Sequence, residues 1–301
     1  MAALNSWIHA FRLRTLPLAL SCIGMGSVLA LYHGTHKMGV SLLALSTATL
    51  LQLLSNLAND YGDAVNGADL AGRVGPERMV ASGKISRESM KVAMYVLGGL
   101  SLASGVALLY VGLAGADWSS WLGFLALGLV SIAAAITYTA GDKPYGYAGL
   151  GDLSVLLFFG FTAVLGSYYL HAGSIQLALL APAVGMGGLA VAVLNLNNMR
   201  DLDSDLRAGK RTLAVRLGAQ GARRYHAVLV LVSLAALLLY ALYHGYKGLF
   251  FASAFGSLMQ LQTLLAVLRV KEAANYDPFL KQTALRTALI VLLAIVFYPF
   301  S

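Results

Sequence analysis

The sequence predicts an all-α, polytopic membrane protein with nine transmembrane helices. Composition is the first reason: 58% of the 301 residues are hydrophobic and 11% are charged, with a mean hydropathy of +0.73, whereas soluble domains carry about 25% charged residues. Length is the second. Apolar stretches of about 20 residues, enough to cross the hydrocarbon as helices, recur along the chain and lack the alternation of a membrane barrel. The third is that Lys and Arg fall almost entirely on alternate loops.

Residues 1–14 read as an amphipathic interfacial helix, with Trp7, Ile8, Phe11 and Leu13 beside Arg12 and Arg14. Spans are expected near 16–33, 40–60, 88–113, 119–139, 149–171, 174–199, 223–244, 247–268 and 281–300. No cleavable signal peptide is expected, because the start is polar and basic and the next apolar run leads into further spans. One membrane side then holds the N-terminus and the loops 61–87, 140–148, 200–222 and 269–280, with Arg73, Arg78, Lys84, Arg87, Arg200, Arg207, Lys210, Arg211 and Arg216. The other side holds turns near 34–39, 114–118, 172–173 and 245–246, with Lys37 and Lys247. The positive-inside rule puts the N-terminus and the long loops in the cytoplasm. The same bias accounts for the net charge of +8, so no nucleic-acid partner is inferred. The chain reads as a single domain, 1–301, without a linker or soluble module.

Two polar clusters interrupt this apolar background. Asn56–Leu57–Ala58–Asn59–Asp60–Tyr61–Gly62–Asp63, running on to Asp69, ends the second span. Asn197–Asn198–Met199–Arg200–Asp201–Leu202–Asp203–Ser204–Asp205 ends the sixth. A carboxylate in a low dielectric is costly unless it is paired or bound to a cation. Helical continuation puts Asn56, Asn59/Asp60 and Asp63 on one face, and likewise Asn197, Asp201 and Asp205. The clusters lie 201 − 60 = 141 residues and four spans apart, each followed by a glycine (Gly67, Gly209) and a basic loop. This is a weak internal repeat of parallel topology: two halves, 16–139 and 149–268, plus a last helix over 281–300.

Magnesium takes hard oxygen ligands, commonly one or two carboxylates plus substrate phosphates. Asp60, Asp63, Asp69, Asp201 and Asp205 are therefore candidate ligands of two such ions against a diphosphate, with Asn56, Asn59 and Asn197 in orienting roles. The competing reading, solvated loop charges or pairs with nearby Arg, suits an isolated Asp better than two matched clusters. Arg78, Lys143 and Lys210 lie where departing pyrophosphate needs cations, whereas Lys84, Arg87, Arg207 and Arg216 read as topology charges. Arg286, in the last span, either snorkels or pairs inside the bundle. Tyr138 and Tyr147 read as interfacial or core aromatics, with a cation-stabilising lining as the alternative. The single cysteine, Cys22, excludes an intramolecular disulfide and a multi-cysteine zinc site. His9, His33, His36, His171, His226 and His244 are scattered over both faces, so no histidine metal site is expected.

At these motifs the sequence resembles the UbiA superfamily of membrane prenyltransferases. Asn59–Asp60–Tyr61–Gly62–Asp63 looks like its first aspartate motif. The stretch from Asn197 to Asp205, with Gly209–Lys210–Arg211–Thr212–Leu213, looks like its second. Asp63 and Asp69 are six apart with Gly67 between, which is similar to the menaquinone branch; in the 4-hydroxybenzoate branch the corresponding gap is four. The stretches Phe11–Arg12–Leu13–Arg14–Thr15–Leu16–Pro17, residues 137–147, and Gly149–Leu150–Gly151–Asp152 onward to Phe158–Phe159–Gly160 resemble the same branch. The resemblance spans essentially the whole chain. It implies a nine-helix bundle around a central cavity, with cytoplasmic cap loops and a lateral opening to lipid. It implies magnesium bridging both motifs to a polyprenyl diphosphate, ionisation to an allylic cation, attack by 1,4-dihydroxy-2-naphthoate and loss of carbon dioxide, leaving demethylmenaquinone and pyrophosphate. Arg12, Arg14, Tyr138 and Tyr147 become candidates for holding the acceptor, and a bacterial cytoplasmic (inner) membrane becomes the location. Two alternatives stand beside this: another acceptor such as 4-hydroxybenzoate, and a cation-coupled transporter. A transporter, however, expects charges near the midplane and often inverted repeats.

Overall fold

The computed structural model describes residues 2–67 and 75–300; Asp69 lies outside the described residues. The helices are α1 (Ala2–Phe11), α2 (Leu16–Tyr32), α3 (Met38–Val65), α4 (Arg87–Gly112), α5 (Trp118–Thr137), α6 (Gly151–Ala172), α7 (Leu177–Arg200), α8 (Leu202–Arg207), α9 (Leu213–Tyr243), α10 (Lys247–Leu268) and α11 (Asp277–Val296). Among the described residues, nine stretches are long and apolar enough to cross a membrane: α1 with α2, α3 to α7, α9, α10, and α11 with the turn before it. This is the predicted all-α, multi-pass architecture.

Four boundaries differ from expectation. The last span runs over Asp277–Val296 and not 281–300, because Pro278 suits the first helical turn and starts the helix earlier; the other three also have local reasons. The N-terminal helix stops at Phe11 because Arg12 adopts a left-handed conformation (φ 47°), and a tight turn, Leu13–Thr15, leads into α2. Helix α3 runs on to Val65, so Asp60 and Asp63 belong to its last turns. Helix α9 starts at Leu213, where Thr212 caps it, and bends at Gly218, whose φ of 68° and ψ of 172° are not helical.

Small residues set the packing. Gly187 of α7 lies against Gly160 of α6, and Gly188 meets Ser233 of α9, where an added methyl would collide. Such positions let membrane helices approach closely without a hydrophobic driving force between them. Met25, Leu29, Met186, Leu189 and Ile290 are fully buried in the resulting core. Arg286 is not a snorkelling charge: it donates to the Met259 carbonyl and the Thr263 hydroxyl of α10, inside the bundle.

Helix α5 behaves differently and has no buried residue. One stripe of it, Phe124, Gly128, Ser131 and Ala135, faces a cavity of about 360 Å³ lined also by α2, α3, α4 and α6, with Leu194 from α7. The cavity therefore lies between α2–α5 on one side and α6 on the other. Helix α6 is π-wound over Leu156–Gly166, and Phe158, Phe159 and Thr162 from that segment line the space; such local unwinding is frequent at functional sites. The lining is apolar along most of its length. It runs from Leu109, Phe124 and Leu170, near one membrane face, to Asn59, Tyr138, Tyr145 and Ser154 at the other.

Histidines expected to be scattered partly meet on the face away from the aspartates. His33 bonds the hydroxyls of Tyr168 at 2.6 Å and Tyr240 at 3.1 Å, and His36 stacks on His171 with ring centroids 5.1 Å apart. These bonds are long-range contacts between span ends, which sequence position alone does not reveal.

Candidate active site

Asp63, 2% exposed, is the hub of the polar end. One carboxylate oxygen accepts from the Tyr147 hydroxyl at 2.6 Å and the Lys210 ammonium at 3.2 Å, and the other accepts from the Arg78 guanidinium. The same ammonium lies 3.5 Å from Asp205 and 4.5 Å from the centroid of the Tyr147 ring. One cation thus joins an aspartate of the first motif to an aspartate of the second. Gly62 makes this possible: an added methyl would strike the backbone of Thr139 and Ala140, so α3 can press against the segment that carries Tyr138 and Tyr147 only without a side chain there. Burial pushes the Asp205 carboxyl up to about 6, Lys210 opposing the rise and Asp201 and Asp63 adding to it. Burial, together with Asp152, Tyr145, Asp63 and Asp205, also holds the Tyr138 phenol above the usual tyrosine range, so it stays neutral.

The remaining predicted residues divide by what they touch. Asp60 accepts the backbone N–H groups of Met79 and Val80 at 3.0 and 2.9 Å. Its carboxylate is spent on the loop that carries Arg78, not on the gap between the motifs. Asn56 donates to the Phe11 carbonyl at 2.8 Å and the Thr15 hydroxyl at 2.9 Å, which pins the N-terminal segment to α3. Asn59 accepts from the Thr139 hydroxyl at 2.9 Å and lines the cavity, as does Tyr138. Lys143 is exposed and makes no ion pair among the described residues. Arg14 pairs with Asp277 at 3.1 Å, and Arg12 occupies the left-handed turn; neither lines the cavity.

The second motif does not continue as one helix. Helix α7 ends at Arg200, and Asp201 forms the joint to α8. Arg200 grips Asp201 with two bonds, at 2.9 and 2.7 Å, and also donates to Asn197 at 2.6 Å and to Asp277 at 2.5 Å. Arg200 and Asp277 were not expected in the site. Arg200 stood inside the second motif and among the loop cations without a role of its own, and Asp277 fell in the 269–280 loop with none.

Whether these residues suit a metal can be judged from the donor set. A cation, the Lys210 ammonium, already sits between two buried carboxylates from opposite halves of the chain. Among the described residues no three of His, Cys, Asp and Glu close a metal shell by themselves. Hard oxygens, few in number, beside basic side chains fit an ion that completes its shell with waters and phosphate oxygens.

A family model described as the UbiA prenyltransferase family matches residues 19–285. The chain belongs to this family. A 1,4-dihydroxy-2-naphthoate octaprenyltransferase of Escherichia coli (strain K12) is 47% identical over 296 residues, covering 97% of this chain and 95% of the relative. Proteins of the same name from Haemophilus influenzae and Mycobacterium tuberculosis are 47% and 41% identical, over 79% and 77% of this chain and 77% of each relative. Among solved structures, a UbiA homologue from Aeropyrum pernix K1 superposes with a TM-score of 0.70 at 17% identity, covering 95% of this chain and 98% of that one. A homologue from Archaeoglobus fulgidus, bound to DMAPP and Mg2+, gives 0.63 at 16% identity over 96% and 99%. These superpositions show that the chain shares its fold with those UbiA homologues.

Proposed function

We propose that this UbiA-family protein transfers a polyprenyl group from polyprenyl diphosphate to 1,4-dihydroxy-2-naphthoate, with Mg2+ as cofactor. The observation that carries the reading is the meeting of Asp63 and Asp205 at one cation, one helical turn beyond Asn59, which lines the polar end of a long apolar cavity. The whole-length likeness to dihydroxynaphthoate octaprenyltransferases supports the acceptor. The Mg2+ and prenyl diphosphate bound by the archaeal homologues support the cofactor and donor class. Asp63, Asp201 and Asp205 are the metal ligands in this reading, with Asp69 as a further candidate. Asp60 and Asn56 are positioning residues, the first for Arg78 and the second for the N-terminal segment.

Magnesium, when held there, would neutralise charge that builds on the departing pyrophosphate. Arg78 and Lys210 add cationic donors on the same side. The allylic C–O bond breaks with its electron pair going to pyrophosphate, and the ring carbon that bears the carboxylate supplies the pair for the new C–C bond. Carbon dioxide leaves the ring, restoring aromaticity and giving demethylmenaquinol, the reduced form of demethylmenaquinone. The apolar cavity wall excludes water that would quench the cation. Asn59 and Tyr138, at the cavity mouth, are placed to orient the acceptor. Arg12, Arg14 and Tyr147 were candidates for that role; Tyr147 instead orients Asp63. We infer that the site faces the cytoplasm of a bacterial inner membrane, from the Lys/Arg asymmetry of the loops. The paired motifs likewise support two parallel halves.

With geranyl diphosphate, dihydroxynaphthoate and Mg2+, the purified protein should release carbon dioxide and form a geranylated naphthoquinol, and EDTA should abolish both. Product formation undiminished by EDTA contradicts the reading. Acid should also weaken the metal. Protonation of Asp205 removes a ligand charge, so half-activation should need more Mg2+ as pH falls from 7.5 through about 6. An Mg2+ activation curve at each pH checks this, and curves that coincide at pH 7.5 and 5.5 contradict it.

A further inference from the structure

Arg200 has a side chain only 1% exposed, yet it touches two carboxylates that belong to different parts of the fold. Its Nε and Nη2 hold both oxygens of Asp201, while Nη1 holds Asp277 at 2.5 Å. Asp277 opens α11, far from either motif in sequence, and its second oxygen accepts from Arg14 at 3.1 Å. A guanidinium cannot shed its charge by losing a proton. Bound to Asp201 with both arms, it competes with any cation for that carboxylate. When a divalent ion engages Asp201, the guanidinium needs another carboxylate to stay compensated in its buried position. Asp277 is the carboxylate already bonded to it.

We propose that Asp277 is a positioning residue that sets the metal affinity of the second motif by sharing Arg200 with Asp201. The inference rests on the metal-clamp reading given above. With Asp277 neutral, Arg200 settles wholly on Asp201 and opposes the ion. Partners that act on a metal ligand from behind typically change metal affinity 10- to 100-fold. The same range is expected here, with turnover at saturating metal nearly unchanged. Arg14 links the device to the N-terminal segment, because it holds the oxygen of Asp277 that Arg200 leaves open.

The test uses the full-length protein in detergent, dialysed to equilibrium against solutions of fixed Mn2+ and inorganic pyrophosphate, bound Mn2+ being the excess of total Mn2+ on the protein side of the dialysis membrane. Asp277→Asn should raise the Mn2+ dissociation constant by about 10- to 100-fold, and Asp277→Glu should restore it towards wild type. Glu272→Gln, an exposed acid in the preceding turn, should change nothing. In an Arg200→Lys background no fork spans the two carboxylates, so Asp277→Asn should have no further effect. If Asp277→Asn fails to fold, Asp277→Ser removes the same charge and carries the same expectation. An unmoved Mn2+ curve in folded Asp277→Asn overturns the proposal. So does a loss of turnover at every metal concentration with binding intact, which would mark a merely structural role. Wild-type protein that binds no Mn2+ refutes the metal clamp itself, and this inference with it.

Discussion

Asp63→Asn is expected to lower turnover by at least about 100-fold while the protein still folds. The side chain is 2% exposed and accepts from Tyr147, Lys210 and Arg78. Asparagine preserves the volume but removes the charge that those two cations face. Breaking a buried pair by deleting one partner costs about 3–5 kcal/mol. Each 1.36 kcal/mol that is expressed in the transition state is about tenfold in rate. Part of the loss will appear as a lower melting temperature, so turnover and thermal unfolding in detergent must be measured on the same preparation. Asp60→Asn should behave differently. Its carboxylate serves the Met79 and Val80 backbone, so the variant should lose stability before it loses turnover at saturating substrate. Turnover in Asp63→Asn within tenfold of wild type would remove Asp63 from the centre of the site.

Gly128→Phe should convert the enzyme into one that accepts only short prenyl donors. Gly128 lines the cavity from α5, and no atom outside its own helix lies within 4 Å of where a Cβ would stand. The helix therefore tolerates the substitution, and the ring enters the cavity. Gly128 lies about 15 Å of helix rise from Tyr138 at the polar end. A geranyl tail stops short of that depth, whereas a long polyprenyl tail must pass it. Turnover with a C40 donor should fall at least about 100-fold, since packing a large ring into occupied space is not relieved by small shifts. Turnover with geranyl diphosphate should stay within about threefold. Parallel rates with the two donors check this. Equal loss for both would place the prenyl tail elsewhere.

Much of this architecture was legible because membrane helices announce themselves by length and charge exclusion. The two Asn/Asp clusters were legible for the same reason: carboxylates at span ends in so apolar a chain demand partners. Helical spacing, however, assigns residues to a face and not to a partner. Asn56, Asp60 and Asp63 share α3, yet they serve the N-terminal segment, the Met79–Val80 backbone and the Lys210 bridge respectively. The break at Asp201 escaped detection because it depends on Arg200 folding back onto its own neighbour, a contact without periodicity. Asp277 escaped because its significance is tertiary, created by α11 packing against α7 and α2. The cavity's position beside α5 was hidden too, since α5 is as apolar as its neighbours and only its lack of buried residues distinguishes it.

The central claim, prenyl transfer to a naphthoate, is tested most directly by competition between acceptors. Purified protein is given geranyl diphosphate and Mg2+ with equal concentrations of 1,4-dihydroxy-2-naphthoate and 4-hydroxybenzoate, and the prenylated products are quantified by mass spectrometry. The account predicts prenylated naphthoquinol with stoichiometric carbon dioxide and almost no prenylated hydroxybenzoate. Preferential prenylation of hydroxybenzoate, or no prenylated product from either acceptor, would contradict it.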